Sequence, residues 1–174
     1  MITSNRLGGV IMECAYKQHS ITESFHQFSD MVYRIALNSV RSIAVAEDIT
    51  QEVFLKLIEK QVSFESIQHE KAWLIRVTMN FCKNYLKSGW FRKITELTED
   101  IPYTNGIEYS LEQKELFKNL MKLKDMERTI VYLYYYEEYT LAEIARILEM
   151  NSNTVATKLR RAKEKLKNHL KGGM

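Results

Sequence analysis

The chain has 174 residues, a formal net charge of +3, and hydrophobic residues at 45% of its positions. This size and composition fit a globular protein with one large domain or two small ones. The chain has one proline and six glycines, so it has few residues that favour turns. This favours long helices over a many-stranded sheet. No apolar run approaches the roughly 18 residues of a membrane span, and the N-terminus lacks a signal-peptide pattern. We therefore expect an all-α, cytoplasmic protein without direct membrane insertion.

The first firm helix is predicted over Ile21–Val40, after a lead-in (residues 1–20) that we expect to be disordered because it shows no hydrophobic period. Thr22 is the candidate N-cap. Met12 is an alternative translation start to Met1. Apolar residues recur at helical spacing and are interpreted as core: Phe25, Phe28, Met31, Val32, Ile35 and Ala36.

The second helix, predicted over Ala44–Lys60, has an apolar and an acidic face. Its apolar positions are Ile49, Val53, Phe54, Leu57 and Ile58. The opposite face carries Glu47, Asp48, Gln51 and Glu52. From Ile43 to Glu59 there are four carboxylates and one lysine, a net charge of −3. Such a face is either solvated or a docking surface for a basic partner, and the residues alone leave both interpretations open.

A catalytic or metal site on this acidic face is not expected. Asp48 and Glu52 are four residues apart and share one helix face, but no histidine or second acidic motif on another helix completes a site. Cys14 and Cys82 have neither metal-ligand spacing nor the number that a disulfide framework needs. We therefore expect no catalytic residues, no metal and no cofactor.

The third helix, predicted over His69–Trp90, combines a buried stripe with basic and amide side chains. The stripe is predicted at Leu74, Val77, Thr78, Phe81 and Tyr85. From His69 to Lys93 there are six Lys/Arg residues and one carboxylate, a net charge of +5. Cations interleaved with aromatic rings suit a groove for single-stranded nucleic acid, although an ordinary core helix with surface lysines fits about as well.

An acidic segment separates this helix from the C-terminal part of the chain. It carries the only proline, Pro102, and the turn pair Asn105-Gly106. From Glu96 to Glu115 there are six carboxylates and one lysine, a net charge of −5. We interpret residues 91–110 as a flexible linker between two small helical domains.

Two amphipathic helices are predicted next, over Leu111–Leu123 and Met126–Glu138, with a Ser110-x-x-Gln113 capping box opening the first. Tyrosines 132, 134, 135, 136 and 139 spread around the second helix. We expect some of these rings in the core and others on the surface, and we assign them no binding role.

The segment Tyr139–Leu170 has the pattern of a DNA-binding helix-turn-helix. Thr140 and Glu143 form a capping box, and Asn151 is a suitable N-cap for the second helix. From Asn151 to Met174 there are seven Lys/Arg residues and one carboxylate, a net charge of +6. In such motifs the second helix enters the major groove, so this stretch favours nucleic-acid binding over a solvated basic face.

Three motifs in this order resemble the extracytoplasmic-function (group IV) sigma factors of bacterial RNA polymerase. AEDITQEVFLKL (46–57) and KAWLIRVTMNFCKNYLK (71–87) are similar to elements of the family's second conserved domain. The helix-turn-helix is similar to its fourth domain. The resemblance implies a non-enzymatic subunit that directs promoter-specific initiation, with the divisions 21–90 (sigma domain 2), 91–110 (linker) and 111–171 (sigma domain 4).

The resemblance also implies a role for each charged surface. Core polymerase, through the β′ clamp helices, would meet Asp48, Gln51 and Glu52. The segment Val62–Gln68 and the third helix would meet the −10 element and hold its non-template strand open, through Lys71, Arg76, Asn80, Lys83, Asn84 and Lys87. The −35 element would be read by Asn153, Thr157, Lys158, Arg160 and Arg161. Further expected partners are the polymerase β flap and an anti-sigma factor.

The sequence departs from the family pattern at a few positions. Glu149 stands where the family's turn usually has glycine, so we expect that turn to form without easy access to positive φ. Ala156 replaces a common lysine of the recognition helix, and Asn84 stands where aspartate is frequent.

Two alternatives are weighed against a sigma factor. A free-standing helix-turn-helix regulator would explain the C-terminal half but not the AEDITQEVF element or the basic third helix. A nucleic-acid enzyme would need a P-loop, a metal-ligand set or a nucleophile–base pair, and the sequence shows none of these.

Overall fold

The computed structural model describes residues 20–88, 116 and 118–171, and within these ranges every regular element is a helix. The six helices are α1 (Ile21–Val40), α2 (Ile43–Lys60), α3 (Ile67–Lys87), α4 (Asp125–Tyr135), α5 (Leu141–Ile147) and α6 (Ser152–Lys171). Residues 118–121 add a helical stretch before α4. The all-α prediction is therefore confirmed. The predictions for residues 1–19, the linker at 91–110 and the Ser110-x-x-Gln113 capping box lie outside the described residues.

Helices α1, α2 and α3 form a three-helix unit, and each of them begins at a serine N-cap. Ser20 and Glu23 form a capping box at the start of α1, so the predicted cap at Thr22 was wrong by two residues. Ser42 caps α2, and Ser66 caps α3. Each serine oxygen accepts a backbone N–H that the first helical turn leaves unpaired.

The ends of α1 and α2 are set by residues with positive φ. Arg41 has φ 56° and Gln61 has φ 44°, and each closes its helix in the left-handed conformation. The sharp end at Gln61 begins the connection to α3. The sharp end at Arg41 leads into a two-residue connection, and α1 and α2 pack against each other. The core between them contains Val32, Ile35 and Val53.

Helix α3 is shifted relative to its prediction. It spans Ile67–Lys87 rather than 69–90, because Ser66 provides the cap and Ser88 leaves the helical conformation. Its buried positions are Glu70, Leu74, Ile75, Thr78 and Cys82. The predicted stripe members Val77, Phe81 and Tyr85 are only partly buried. Apolar residues occupy so wide an arc of α3 that periodicity could not fix the centre of the stripe.

Helices α4–α6 form the C-terminal unit, and α4 is its centre. Ile130 and Leu133 are fully buried. Helix α4 spans Asp125–Tyr135, three residues shorter at its C-terminus than predicted. Tyr135 and Tyr136 are exposed, whereas the rings at 132, 134 and 139 pack against the core, as the sequence analysis expected of this run.

The two units pack directly against each other. Helix α1 contacts α4, and α3 contacts α5. Buried side chains of both units form one continuous hydrophobic cluster. None of the helices in the described ranges is long and apolar enough to cross a membrane.

Candidate nucleic-acid interface

Helices α5 and α6 form the predicted helix-turn-helix. The Thr140–Glu143 capping box opens α5, and the Asn151 side chain accepts a hydrogen bond from the Asn153 N–H at 2.8 Å, as expected of a cap for α6. Helix α5 buries Ile144, Ala145 and Ile147. This short helix therefore serves as a support that orients α6.

Helix α6 presents a polar face opposite its buried seam. Val155, Leu159 and Ala162 are buried. At roughly 100° per residue, Asn153, Thr157, Arg160 and Arg161 project from the other side, and Lys158 lies at its edge. Asn153, Arg160 and Arg161 are exposed, and Thr157 and Lys158 are partly exposed. The predicted −35 residues thus share one broad surface.

Several charges of α6 already have partners within the chain. Arg160 Nη1 contacts Glu164 Oε1 at 2.7 Å on the exposed surface. Lys165 Nζ contacts Glu127 Oε2 at 2.8 Å. Lys163 Nζ lies over the rings of Tyr134 and Tyr135. Glu164 therefore places a carboxylate within the predicted DNA-reading face, a feature that the sequence analysis did not single out although its spacing of four residues from Arg160 signals it.

The turn between α5 and α6 corrects one expectation. Glu149 has φ 53°, so the turn does use positive φ although no glycine is present. For a residue with a Cβ this conformation costs roughly 1–2 kcal/mol. The Met150 N–H donates to the Ala145 carbonyl at 2.8 Å, and such C-terminal closure bonds compensate part of the strain.

The predicted −10 residues lie along α3 but are not equally accessible. Arg76, Asn80, Lys83, Asn84 and Lys87 are exposed, although Arg76 also contacts the C-terminal unit. Four members line a cleft of about 510 Å³ against the C-terminal unit: Arg76, Asn80, Lys83 and Lys87. Lys71 is partly buried and pairs with Glu137. The structure thus brings most of the set together on a surface that also contacts the other unit.

The acidic face of α2 is exposed. Asp48, Gln51 and Glu52 are all solvent-accessible. Leu55, one turn further along the same face, is 51% exposed. It falls outside the stripe of Ile49, Val53 and Leu57, so helical periodicity does not predict a role for it. Ile58 was assigned to the apolar face, yet it is 46% exposed, because only part of that face meets α1 and α3.

The part of the chain that the structure describes holds no group of three or more potential metal-ligating side chains. Cys82 is buried, and burial raises the pKa of its thiol to about 12, so the thiolate is scarce at neutral pH. The geometry of these surfaces suits binding through charge, hydrogen bonds and exposed apolar side chains.

Known protein families match both units. Residues 25–92 match the family described as Sigma-70 region 2, and residues 115–166 match Sigma-70, region 4. The ECF RNA polymerase sigma factor SigW of Bacillus subtilis is 25% identical over 164 residues, covering 83% of this chain and 85% of that protein. SigM of the same organism is 26% identical over 157 residues, covering 85% and 93%.

Two solved structures have a similar fold. RpoE from Bartonella quintana, in complex with the anti-sigma factor NepR, gives a TM-score of 0.72 at 21% identity and covers 86% of this chain and 96% of its own. CnrH, in complex with the cytosolic domain of CnrY, gives 0.63 at 17% identity and covers 95% and 97%. Both sigma-70 regions are present in the chain, and its match to SigW covers most of that protein's length. The chain therefore belongs to the extracytoplasmic-function sigma factors of bacterial RNA polymerase.

Proposed function

We propose that the chain performs its role in transcription initiation through three surfaces with separate tasks, divided between a domain at 21–90 and a domain at 111–171 with a linker at 91–110. The observation that carries this proposal is the segregation of charge: an acidic exposed face on α2, and basic exposed faces on α3 and α6. Opposite charges on one small protein suit two kinds of partner, a basic protein surface and a polyanion.

The acidic face of α2 is the proposed docking surface for core polymerase. Asp48, Gln51 and Glu52 provide charge and hydrogen bonding, and Leu55 adds an exposed apolar side chain beside them. An apolar anchor within a charged rim is the usual anatomy of an energetic centre in a protein interface. The proposed receptor is the clamp of the β′ subunit.

The exposed face of α3 is the proposed site for the opened −10 element. Lys83 and Lys87 are placed to contact the phosphate backbone of a DNA strand. Asn80 and Asn84 provide hydrogen-bond donors and acceptors for base edges. Stacking of bases on protein rings contributes about 1–3 kcal/mol per base, which is comparable to the few kcal/mol needed to extrude one. The chain alone therefore stabilises an opened strand only marginally, and the polymerase supplies the remainder.

The polar face of α6 is the proposed reader of the −35 element. Asn153 and Thr157 lie near the N-terminus of α6, the end that reaches base edges in helix-turn-helix complexes. Arg160 and Arg161 follow one turn later, where cations contact phosphates or guanine edges. The region 4 unit is also proposed to contact the β flap.

An anti-sigma factor is a proposed further partner, since RpoE, a sigma factor of similar fold, was solved with one. The proposed site of action is the bacterial cytoplasm, where core polymerase works. The proposed role is that of a binding subunit with no catalytic residue of its own.

Charge reversal on α2 tests the docking proposal. We expect Asp48→Arg and Glu52→Arg each to weaken binding to purified core polymerase by about tenfold or more, because a buried like-charge contact costs several kcal/mol. Glu138→Arg, an equal charge change at an exposed loop position, is the control. Circular dichroism checks that helix content is retained, and unchanged core affinity of both α2 variants would refute the assignment.

Promoter function is tested with the assembled holoenzyme. Transcription from a library of promoter fragments is expected to select a defined pair of −35 and −10 elements. Arg161→Ala is expected to relax selection at −35, and Lys83→Ala to slow strand opening with −35 selection retained. Equal effects of both variants on both steps would contradict the division of tasks.

A further inference from the structure

Two cations of the proposed −10 surface are held by the C-terminal unit. Lys71 Nζ lies 2.7 Å from Glu137 Oε2, and the two side chains are 27% and 11% exposed. The same ammonium lies 5.1 Å from the centre of the Tyr139 ring. Lys71 is thus enclosed by a carboxylate and an aromatic face, both from the loop that joins α4 to α5.

Arg76 is held by the end of α5 and the turn that follows. Its guanidinium donates to the Ile147 carbonyl at 3.3 Å and to the Arg146 carbonyl at 3.4 Å. It also lies 3.5 Å from Glu149 Oε1. The last carbonyls of a helix lack partners within the helix and carry partial negative charge, so α5 offers Arg76 an anionic site much as a phosphate would.

A second set of contacts holds the two units together at the other end of the interface. Arg41 donates to the carbonyls of Met121 at 2.6 Å and Leu123 at 3.3 Å. Arg128 donates to the Asn38 carbonyl at 2.7 Å. These bonds tie the C-terminal end of α1 to the segment that precedes α4 and to the first turn of α4 itself.

The cleft between the units has one basic wall from α3 and a second wall from the start of α4 and the helix-turn-helix. Lys83 and Lys87 line it on the α3 side, and Ile147, Leu148 and Glu149 line it on the other. A nucleic-acid strand that follows α3 needs this space and needs Lys71 and Arg76 free of their partners. The C-terminal unit and the −10 strand therefore compete for the same side chains.

We infer that this packing is an autoinhibited, closed state of the free protein, in which Glu137, Glu149 and the end of α5 occupy the proposed −10 surface until polymerase and promoter separate the two units. This inference rests on the proposed role of α3. Since a ligand that binds only an open state has its affinity reduced by the open fraction, weakening the closed state increases affinity for single-stranded DNA without any new DNA contact.

The sharpest test breaks the closed state without altering a proposed DNA-binding residue or the net charge. Arg41→Asn/Glu149→Gln removes one cation and one anion, and asparagine tolerates the left-handed backbone of position 41. Lys60→Gln/Glu138→Gln is the matched control. It makes the same charge changes at exposed positions, and Glu138, like Glu149, has positive φ.

Acetylation of Lys71 in the free protein, followed by mass spectrometry, reports opening directly, because its partner Glu137 is unchanged in the double variant. We expect Lys71 to react about three- to tenfold faster in Arg41→Asn/Glu149→Gln than in the wild type, with the exposed Lys83 as internal standard. The control double variant is expected to match the wild type. Equal Lys71 reactivity in all three proteins, or wild-type Lys71 as reactive as Lys83, overturns the inference.

Binding of a fluorescein-labelled 20-nucleotide oligodeoxythymidylate links opening to function. We expect about threefold or greater tightening in Arg41→Asn/Glu149→Gln and no change in the control. Arg41→Asn alone removes a cation, so simple electrostatics predicts weaker binding, whereas release of the closed state predicts tighter binding. Weaker binding of that single variant overturns the inference. The Lys71 measurement uses no polymerase, so its failure leaves promoter selection by the wild-type holoenzyme intact as a separate result.

Discussion

The guanidinium of Arg128 organises the interface between the two units, and its removal is expected to destabilise the whole chain. Its side chain is 2% exposed and pairs with Asp125. It donates to the main-chain carbonyls of Asn38, Met121 and Leu123. Asn38 lies in the last turn of α1, where carbonyls lack partners within the helix. Arg128 therefore caps α1 from the other unit.

The expected loss in the free energy of unfolding depends on which carbonyl acceptors are left without any donor. In Arg128→Met, the carbonyls of Met121 and Leu123 keep Arg41, but the Asn38 carbonyl loses the donor that the guanidinium supplies. The Arg128–Asn38 bond is part-buried, and an acceptor left unsatisfied away from water costs about 1–3 kcal/mol, to which weakening at the two shared carbonyls adds roughly 1 kcal/mol. Replacing the buried charge by an apolar methionine offsets little of this loss in stability. The carbonyl acceptors belong to the main chain, so they remain after the substitution.

We therefore expect Arg128→Met to lower the free energy of unfolding by about 2–4 kcal/mol, measured by urea denaturation followed by circular dichroism. Arg160→Met is the matched control, since that side chain is 64% exposed and pairs only with an exposed glutamate, and its effect is expected within about 0.5 kcal/mol. A loss below about 1 kcal/mol in Arg128→Met, or equal effects of the two substitutions, would refute the capping argument.

Three further predictions follow from single carboxylates. Burial disfavours the charged form of Glu127, but hydrogen bonds from Lys165 and from the Lys124 N–H outweigh it and lower the carboxyl pKa. The stability linked to Glu127 is therefore present above its unfolded pKa of about 4.3 and lost as pH falls through the lower folded value. Glu127→Gln should flatten urea-unfolding stability over that acidic range, and an unchanged pH profile would contradict the assignment. Glu149→Gly should be about 0.5–1 kcal/mol more stable than Glu149→Ala, because both variants lose the Arg76 contact but only glycine accepts φ 53° without a Cβ clash; equal urea-unfolding stability of the two variants would show that the turn is not strained. Glu164→Gln should tighten binding of duplex DNA about threefold or more at low salt by removing a carboxylate from the reading face and releasing Arg160; unchanged affinity in fluorescence anisotropy would show that this face does not meet DNA.

Local signals made the helix-turn-helix predictable. The Thr140–Glu143 capping box and the Asn151 cap depend on residues within four positions of each other, and the buried seam of α6 follows a simple period. The same reasoning failed at Thr22, because Ser20 and Glu23 offered a complete capping box two residues earlier. A cap is decided by the best available pair, and a single suitable residue does not identify it.

Non-local contacts explain what the sequence did not reveal. Ile75 is fully buried although periodicity placed it beside the stripe, since α3 meets α1 and α2 on one side and α5 on another. The partners of Lys71 and Arg76 lie about 65–75 positions away in the chain. No local spacing pattern in the sequence could predict these pairs. The positive φ of Glu149 is likewise imposed by the packing of α5 against α6, which outweighs the residue's own preference.

The interface between the two units has a one-sided chemistry. Arg41, Arg76 and Arg128 contribute side chains, whereas the groups that receive their bonds are largely peptide oxygens. A peptide oxygen is the same whatever residue carries it. Substitutions at positions 38, 121, 123, 146 and 147 therefore leave these acceptors in place as long as the backbone keeps its course, while each arginine is irreplaceable by lysine in its multi-point geometry. Among the acceptor positions, 38, 121 and 146 are therefore expected to tolerate substitution, whereas Leu123 and Ile147 are constrained by their burial in the core.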